Sequence, residues 1–218
     1  GAFSLYAVVV DNVENYSIKK YEQNLIVDTT SPVIEAKDIH IFKDAEALVL
    51  PNQNVSAKDG GTNLPLDSTN TTAKINGSVA TSFQPTSLGK TEVVYTITDK
   101  AGNSATAKQF IYVQEKINLQ VDSPITIHVR DTAEDLDFLT DQRLNLVSQV
   151  RITENDGTIQ TKQIVPTHDG NTKVEFGKVG TYSVTYTANY QYPAPVEGTK
   201  DHRVTTTLEV IITRWTSD

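Results

Sequence analysis

Gly89-Lys90-Thr91-Glu92-Val93 has counterparts at Gly1-Ala2-Phe3-Ser4-Leu5 and at Gly180-Thr181-Tyr182-Ser183-Val184. The copies lie about ninety residues apart, so the chain reads as a tandem array with one module per period. The first two copies continue in step. Asp11 follows Gly1 at the interval at which Asp99 follows Gly89, and Asn15 and Asn103 come next at matching positions. This period suits a small β-sandwich and is too long for ankyrin, tetratricopeptide or leucine-rich units.

Around the second copy the sequence predicts strands at 33–36, 39–42, 47–50, 55–57, 72–75, 92–98 and 104–113. Turn signals separate them: Asp59-Gly60-Gly61, Asn76-Gly77 and Ala101-Gly102-Asn103. Asn-Gly is a strong hairpin signal because both central residues of a type I′ turn take φ > 0. Around the third copy strands are predicted at 117–121, 125–129, 144–152, 158–165, 173–176, 182–188 and 203–213, with Asp156-Gly157 marking a hairpin. Thr132 to Gln142 is the one segment that invites a helical turn, with Thr132 as its N-cap. Before the second module, 4–10 and 16–27 read as a hairpin around the turn at Asp11–Asn15. Two strands alone are marginal in water.

The fold class is therefore all-β, in tandem sandwich modules. The boundaries are 1–28 for the closing hairpin of a preceding module, 32–114 for one complete module and 115–218 for a divergent second one. Asp28-Thr29-Thr30-Ser31-Pro32 is the linker, since Pro32 holds Ser31 extended and cannot donate to a ladder. Pieces 32–115 and 116–218 are expected to unfold cooperatively on their own. With no Met, and with Gly1 in mid-pattern, the chain reads as an internal piece of a longer protein.

Composition narrows the function classes. A net charge of −8 offers no basic stripe for phosphates, which disfavours nucleic acid and leaves cations or a basic partner. No apolar run approaches the ~20 residues of a membrane span. Zero Cys argues against a disulfide-stapled domain. His40, His128, His168 and His202 have no metal-ligand spacing, and no nucleophile elbow, zincin motif or phosphate loop is present, so the chain reads as a non-enzyme.

Glu92-Val93-Val94-Tyr95-Thr96-Ile97-Thr98-Asp99-Lys100-Ala101-Gly102-Asn103 resembles the closing hairpin of bacterial immunoglobulin-like surface-protein repeats, and Asp28-Thr29-Thr30-Ser31-Pro32 resembles the junction between such repeats. The third module departs from the pattern. Tyr190 stands where Asp would, and its closing loop runs long, from Asn189 to His202. The resemblance implies immunoglobulin-like sandwiches in a secreted or wall-anchored protein at a bacterial cell surface. It implies stalk modules of an adhesin that space or present a binding head beside neighbouring modules of the same chain.

Three groups of residues carry chemistry. Asp28, Asp59, Asp99 and Asn103 fall in elements that meet at one pole of an immunoglobulin-like sandwich. Three carboxylates and an amide oxygen suit Ca²⁺, while each Asp also suits the cap of its own turn. A second acidic group, Asp131, Glu134, Asp135, Asp137 and Asp141, reads as a solvated turn. The third group is the long loop, with Tyr190, Tyr192, Asp201 and Arg203. Exposed, its tyrosines would stack on a host glycan or anchor a host protein, which is the alternative function for 115–218. Packed on their own module, they would stiffen a proline-bearing loop. At the repeat glycines a φ > 0 corner is expected, with Phe3 and Tyr182 in the place of a tyrosine corner.

Overall fold

The computed structural model describes residues 2–20, 25–128, 136–194, 196 and 202–214. The strands are β1 (Ala2–Phe3), β2 (Tyr6–Val10), β3 (Tyr16–Lys20), β4 (Leu25–Ile26), β5 (Val33–Ala36), β6 (Ile39–Phe42) and β7 (Leu48–Val49). Next come β8 (Val55–Asp59), β9 (Thr62–Leu64), β10 (Thr71–Ile75), β11 (Ser78–Val79), β12 (Ser82–Phe83), β13 (Gly89–Thr98) and β14 (Ser104–Gln114). The last are β15 (Asn118–Gln120), β16 (Ile125–His128), β17 (Val147–Thr153), β18 (Ile159–Gln163), β19 (Thr167–His168), β20 (Gly180–Asn189) and β21 (Arg203–Thr213). One turn of α-helix, α1 (Gly170–Lys173), and a 3-10 turn at Gln142–Leu144 are the helical elements among the described residues. The protein is all-β.

The chain divides into two compact units. One comprises 1–37, 49–82 and 93–109, the other 38–48, 83–92 and 110–218. In the first, β2 and β3 form a two-stranded hairpin, β5, β8 and β9 form a three-stranded sheet, and β10 lies antiparallel along β13 with Ala73 opposite Tyr95. Alternation decides which side chains go inside. Val55 and Ala57 of β8 and Val93, Tyr95 and Ile97 of β13 are buried, while their neighbours face outward. The turns obey the glycine signals. Asn76 and Gly77 take φ 50° and 81°, and Gly60 and Gly61 take φ 52° and 85°, which are type I′ conformations between paired strands.

A polar group sits in this core. The Gln109 side chain accepts from the Tyr95 hydroxyl (2.9 Å) and the Asn52 amide (2.6 Å), and donates to the Lys37 carbonyl (2.7 Å). Burial pushes the Tyr95 phenol up to about 12.

In the second unit two sheets face each other. One is β15-β17-β18, the other β16-β21-β20-β19. Leu119 projects from the first; Ile125, Ile127, Val184, Tyr186, Ala188, Leu208, Val210 and Ile212 project from the second into one apolar core. β20 and β21 pair without interruption from Gly180↔Ile212 to Asn189↔Arg203. β16 runs parallel to β21, and β6 runs parallel to the end of β14 in the same way.

The division into units departs from boundaries at 114 and 115. Gln114 is fully buried, and its amide nitrogen donates to the Thr153 carbonyl (3.0 Å) and to His40 Nδ1 (2.9 Å), while its oxygen accepts from the Thr153 N–H (2.8 Å). Lys90 donates to the Asn155 carbonyl (2.8 Å) and lies 4.0 Å above the Phe110 ring. Phe42 packs with Val150, Ile152, Tyr192 and Val196. A cut at 115 severs these contacts, so pieces 32–115 and 116–218 each lose buried partners.

Other expectations are corrected. Residues 173–176 do not form a strand. Asp169 starts a helical turn instead, its carbonyl accepting from the N–H groups of Thr172 and Lys173 while its carboxylate accepts from the Thr185 N–H (2.8 Å). The edge strand is the shorter β19, paired with β20. The 3-10 turn at Gln142–Leu144 is N-capped by Asp141, and the turn expected at Thr132 lies outside the described residues. Tyr182 forms the expected corner, its hydroxyl donating to the Lys178 carbonyl (3.0 Å). The φ > 0 bend is present at Gly89 (φ 140°) and not at Gly180.

His40 gives this unit a pH dependence. Its Nδ1 accepts from Gln114 and its ring stacks on Tyr112 at 4.6 Å. Desolvation holds its pKa below the ordinary 6.5, against a smaller upward pull from Asp38. The unfolded chain therefore takes up this proton at a higher pH than the folded one. The stability that the neutral ring contributes is complete above pH 6.5 and is lost as pH falls toward the lowered value. Thermal midpoints are expected to fall between pH 7 and 5, and His40→Gln is expected to flatten that slope. An unchanged slope would place the titrating group elsewhere.

Candidate functional site

Asp28 follows β4 on the way to β5, Asp59 ends β8, and Asp99 opens the turn between β13 and β14. All three belong to the first unit. Their carboxylate oxygens lie within 4.8 Å of one another, and each residue is half-buried. Two oxygens bound to one Ca²⁺ sit at most about 5 Å apart, so the spacing fits a single ion. Three hard oxygen donors also match that ion by type.

The turns that present these groups are built by the carboxylates themselves. Asp99 Oδ1 accepts from the N–H groups of Ala101 (2.8 Å) and Asn103 (2.9 Å). Its Oδ2 accepts from the Asn103 side-chain amide (2.9 Å). These bonds, the Asn103 amide foremost, hold the Asp99 carboxyl below its usual range, so it stays ionised. Asp28 Oδ1 accepts from the Thr30 N–H (2.9 Å). A carboxylate has about four acceptor positions, so the turn bonds leave lone pairs for a cation.

Asn103 has a different role from the one expected. Its amide nitrogen, not its oxygen, points into the group and donates to the Asp28 carbonyl (3.1 Å) and to Asp99. It ties the linker to the hairpin turn rather than supplying a ligand. The turn at Asp11 repeats the pattern bond for bond: Asp11 accepts from the N–H groups of Val13 and Asn15 and from the Asn15 amide, each at 2.9 Å. Glu14 takes φ 67° where Gly102 takes φ 95°.

The loop after β20 is only partly open. Tyr192 is buried, and its hydroxyl donates to the Glu115 carbonyl, so it is not an exposed stacking platform. Burial pushes its phenol pKa up. Its ring packs edge-on against Phe42 (5.7 Å) and His202 (4.3 Å). Tyr190 is half-buried and stands edge-on to Tyr192 at 5.0 Å. Arg203 is exposed at the start of β21, and Asp201 lies outside the described residues. Alternation on β20 correctly separates Tyr186, which is core, from the loop. It carries no signal for Phe42, whose distant strand supplies the surface that buries Tyr192.

In the second acidic group, Asp137 accepts from the N–H groups of Leu139 (2.8 Å) and Thr140 (3.1 Å), and Asp141 pairs with Arg143 at 2.6 Å. These are turn-forming roles; Asp131, Glu134 and Asp135 lie outside the described residues.

No family model matches the chain, and no curated protein matches it. Among solved structures, it is similar to CBM51-2 and INT domains of ZmpB from Clostridium perfringens, solved with GlcNAc, at 17% identity and TM-score 0.30, over 73% of this chain and 29% of that one. It is similar to immunoglobulin domains 1–5 of Sidekick-1 at 12% identity and TM-score 0.38, over 97% and 46%. Human CDH23 EC21-23 matches at 13% identity and TM-score 0.32, over 96% and 74%. The chain thus spans less than half the length of the first two. Identities and TM-scores of this size fix neither a family nor a function, and the all-β class stands on the strand pairing. No helix among the described residues is long and apolar enough to cross a membrane.

Proposed function

We propose that this chain is a non-enzymatic stalk of immunoglobulin-like modules from a bacterial cell-surface adhesin, with Ca²⁺ stiffening the joint at Asp28. The tandem period and the Asp-Thr-Thr-Ser-Pro linker support the stalk reading. The convergence of Asp28, Asp59 and Asp99 carries the calcium reading. These residues come from a linker, a strand end and a hairpin turn. Carboxylates at this distance repel one another, and a divalent cation removes that repulsion. With the remaining positions filled by water, the affinity belongs to the range of extracellular modules, on the order of 10⁻⁴ to 10⁻³ M.

Binding to the folded state alone raises stability by mass action. At ten times the dissociation constant the gain is about 1.4 kcal/mol, a rise of a few degrees in thermal midpoint. Asp59→Asn is expected to abolish that rise while leaving the Asp99 turn intact, and Asp99→Ala is expected to abolish it with the turn. A midpoint unmoved at millimolar Ca²⁺ would reduce these residues to turn formers. A rise that survives both substitutions would move the ion elsewhere. Glycan or host-protein binding by 115–218 is the second reading. Exposed Arg203 and half-exposed Tyr190 support it, without Tyr192.

A further inference from the structure

Gln114 is 0% exposed, and both hydrogens of its side-chain amide are used, one on the Thr153 carbonyl and one on His40 Nδ1. The Thr153 backbone sets the orientation of that amide. Its oxygen accepts from the Thr153 N–H (2.8 Å) and its nitrogen donates to the Thr153 carbonyl (3.0 Å), so turning it over would oppose like groups at both bonds. Thr153 is itself held in place. It is 1% exposed, and its hydroxyl donates to the Val113 carbonyl (2.7 Å) and accepts from the Gly89 N–H (3.1 Å).

This arrangement fixes the state of the His40 ring. The second amide hydrogen meets Nδ1 across 2.9 Å, so Nδ1 is a bare acceptor and the ring proton sits on Nε2. A proton on Nδ1 would set two donors face to face. The ring has little room to turn aside. It is 7% exposed and stacks on Tyr112 at 4.6 Å, while its backbone pairs with Tyr112 of β14 and with Val196. Asp38, just before β6, favours the charged ring, and its carboxylate also accepts from the Phe110 N–H (2.8 Å). Lys90 of β13 adds a cation to the same aromatic group, 4.0 Å from the Phe110 centroid and 5.3 Å from that of Tyr112. Thr153 of β17 and Val196 bring no charge to the ring.

We infer that Gln114 is a proton-operated latch between the end of β14 and β17, with His40 as its sensor. A charged ring buried without a partner is costly. Turned over, the Gln114 amide offers its oxygen to the new Nδ1–H, and the charge keeps a partner. The cost is both bonds to the Thr153 backbone. The neighbouring fastening does not respond in the same way. Arg151 donates twice to the Glu115 carboxylate (2.9 and 2.8 Å) and holds its pKa below the usual range, and the Glu115 N–H donates to the Arg151 carbonyl (3.1 Å). Acid therefore opens the seam at Gln114 and leaves it closed at Glu115, a local release and not an unfolding of the unit.

The test follows the full chain by NMR, using amide protection factors, which divide out the intrinsic pH dependence of exchange. Protection of the Thr153 N–H is expected to fall about tenfold between pH 7 and pH 5, at the midpoint of the His40 ring titration. Val184 and Leu208, in the β20–β21 core, are expected to keep their protection. Gln114→Glu reverses the logic, since a carboxylate accepts from both the Nδ1–H and the Thr153 N–H. In that variant His40 is expected to titrate at a higher pH than in the natural chain, and Thr153 is expected to stay protected on acidification. Thr153 protection that is equal at both pH values in the natural chain overturns the proposal. So does a fall whose midpoint departs from that of His40, or a fall shared equally by Val184 and Leu208, which is global unfolding. A fall that persists unchanged in Gln114→Glu overturns it as well.

Discussion

Phe138→Ala is expected to destabilise the second unit by about 3–5 kcal/mol in denaturant unfolding, because a buried aromatic is removed from a close-packed core. Phe138 is 2% exposed and packs in the cluster that joins the two facing sheets. Its ring lies 5.1 Å from His168 and 6.4 Å from Phe176. Its carbonyl accepts the buried Tyr186 hydroxyl at 2.6 Å, so the segment that carries it is fastened to β20 as well. Gly170 makes the seat for this ring. A Cβ there would stand 2.6 Å from a ring carbon. Gly170→Ala in the natural background is therefore expected to cost about 1–3 kcal/mol through overpacking. With Phe138→Ala already present, the same methyl group enters the vacated space and is expected to cost almost nothing. That coupling separates steric seating from a general preference for glycine. If Gly170→Ala costs the same in both backgrounds, the ring is not what requires glycine.

The hairpin turns were legible in the sequence because local chemistry decides them. Asn76-Gly77 and Asp99-Lys100-Ala101-Gly102-Asn103 contain the donors, acceptors and φ > 0 residues that close their own loops. Repetition of the phrase at Asp11–Asn15 made the likeness of the turns after β2 and β13 readable in the same way. The convergence of Asp28, Asp59 and Asp99 followed from placing three such local features on one assumed architecture. The misreadings have non-local causes. Lys173 to Phe176 has a strand-like pattern, but Asp169 bonds to β20 and Gly170 passes under Phe138, so a helical turn forms there. Tyr192 leaves its strand as an exposed residue would, yet Phe42 and Val196 cover it. The Asn103 amide had two chemically reasonable orientations in the sequence. Donation to the Asp28 carbonyl selects one. The compact units depart from a boundary at 114 and 115 for a similar reason, since Gln114 looks like a solvent-facing residue at the end of a strand until Thr153 is placed against it.

Gln109→Leu is expected to cost the first unit about 2–4 kcal/mol, and the loss should be partly recoverable by a second substitution. Leucine matches the apolar volume, so packing loss is small and the cost is mainly one of unpaired polar groups. Gln109 is 0% exposed, and its removal leaves the Tyr95 hydroxyl, the Asn52 amide and the Lys37 carbonyl without the partner they share. Each buried group left unmet costs about 1–3 kcal/mol, while replacing both members of a pair by apolar groups is nearly neutral. Tyr95→Phe removes the hydroxyl that has lost its acceptor, without changing the ring that faces Ala73. Gln109→Leu with Tyr95→Phe is therefore expected to be more stable than Gln109→Leu alone by about 1 kcal/mol or more. In the natural background Tyr95→Phe has the opposite sign, since it removes one of the two donors to the Gln109 side-chain oxygen. Chemical denaturation of the four proteins measures the cycle. If the costs of the two substitutions simply add, the hydroxyl and the amide are not energetically paired, and the unit depends on Gln109 for its volume alone.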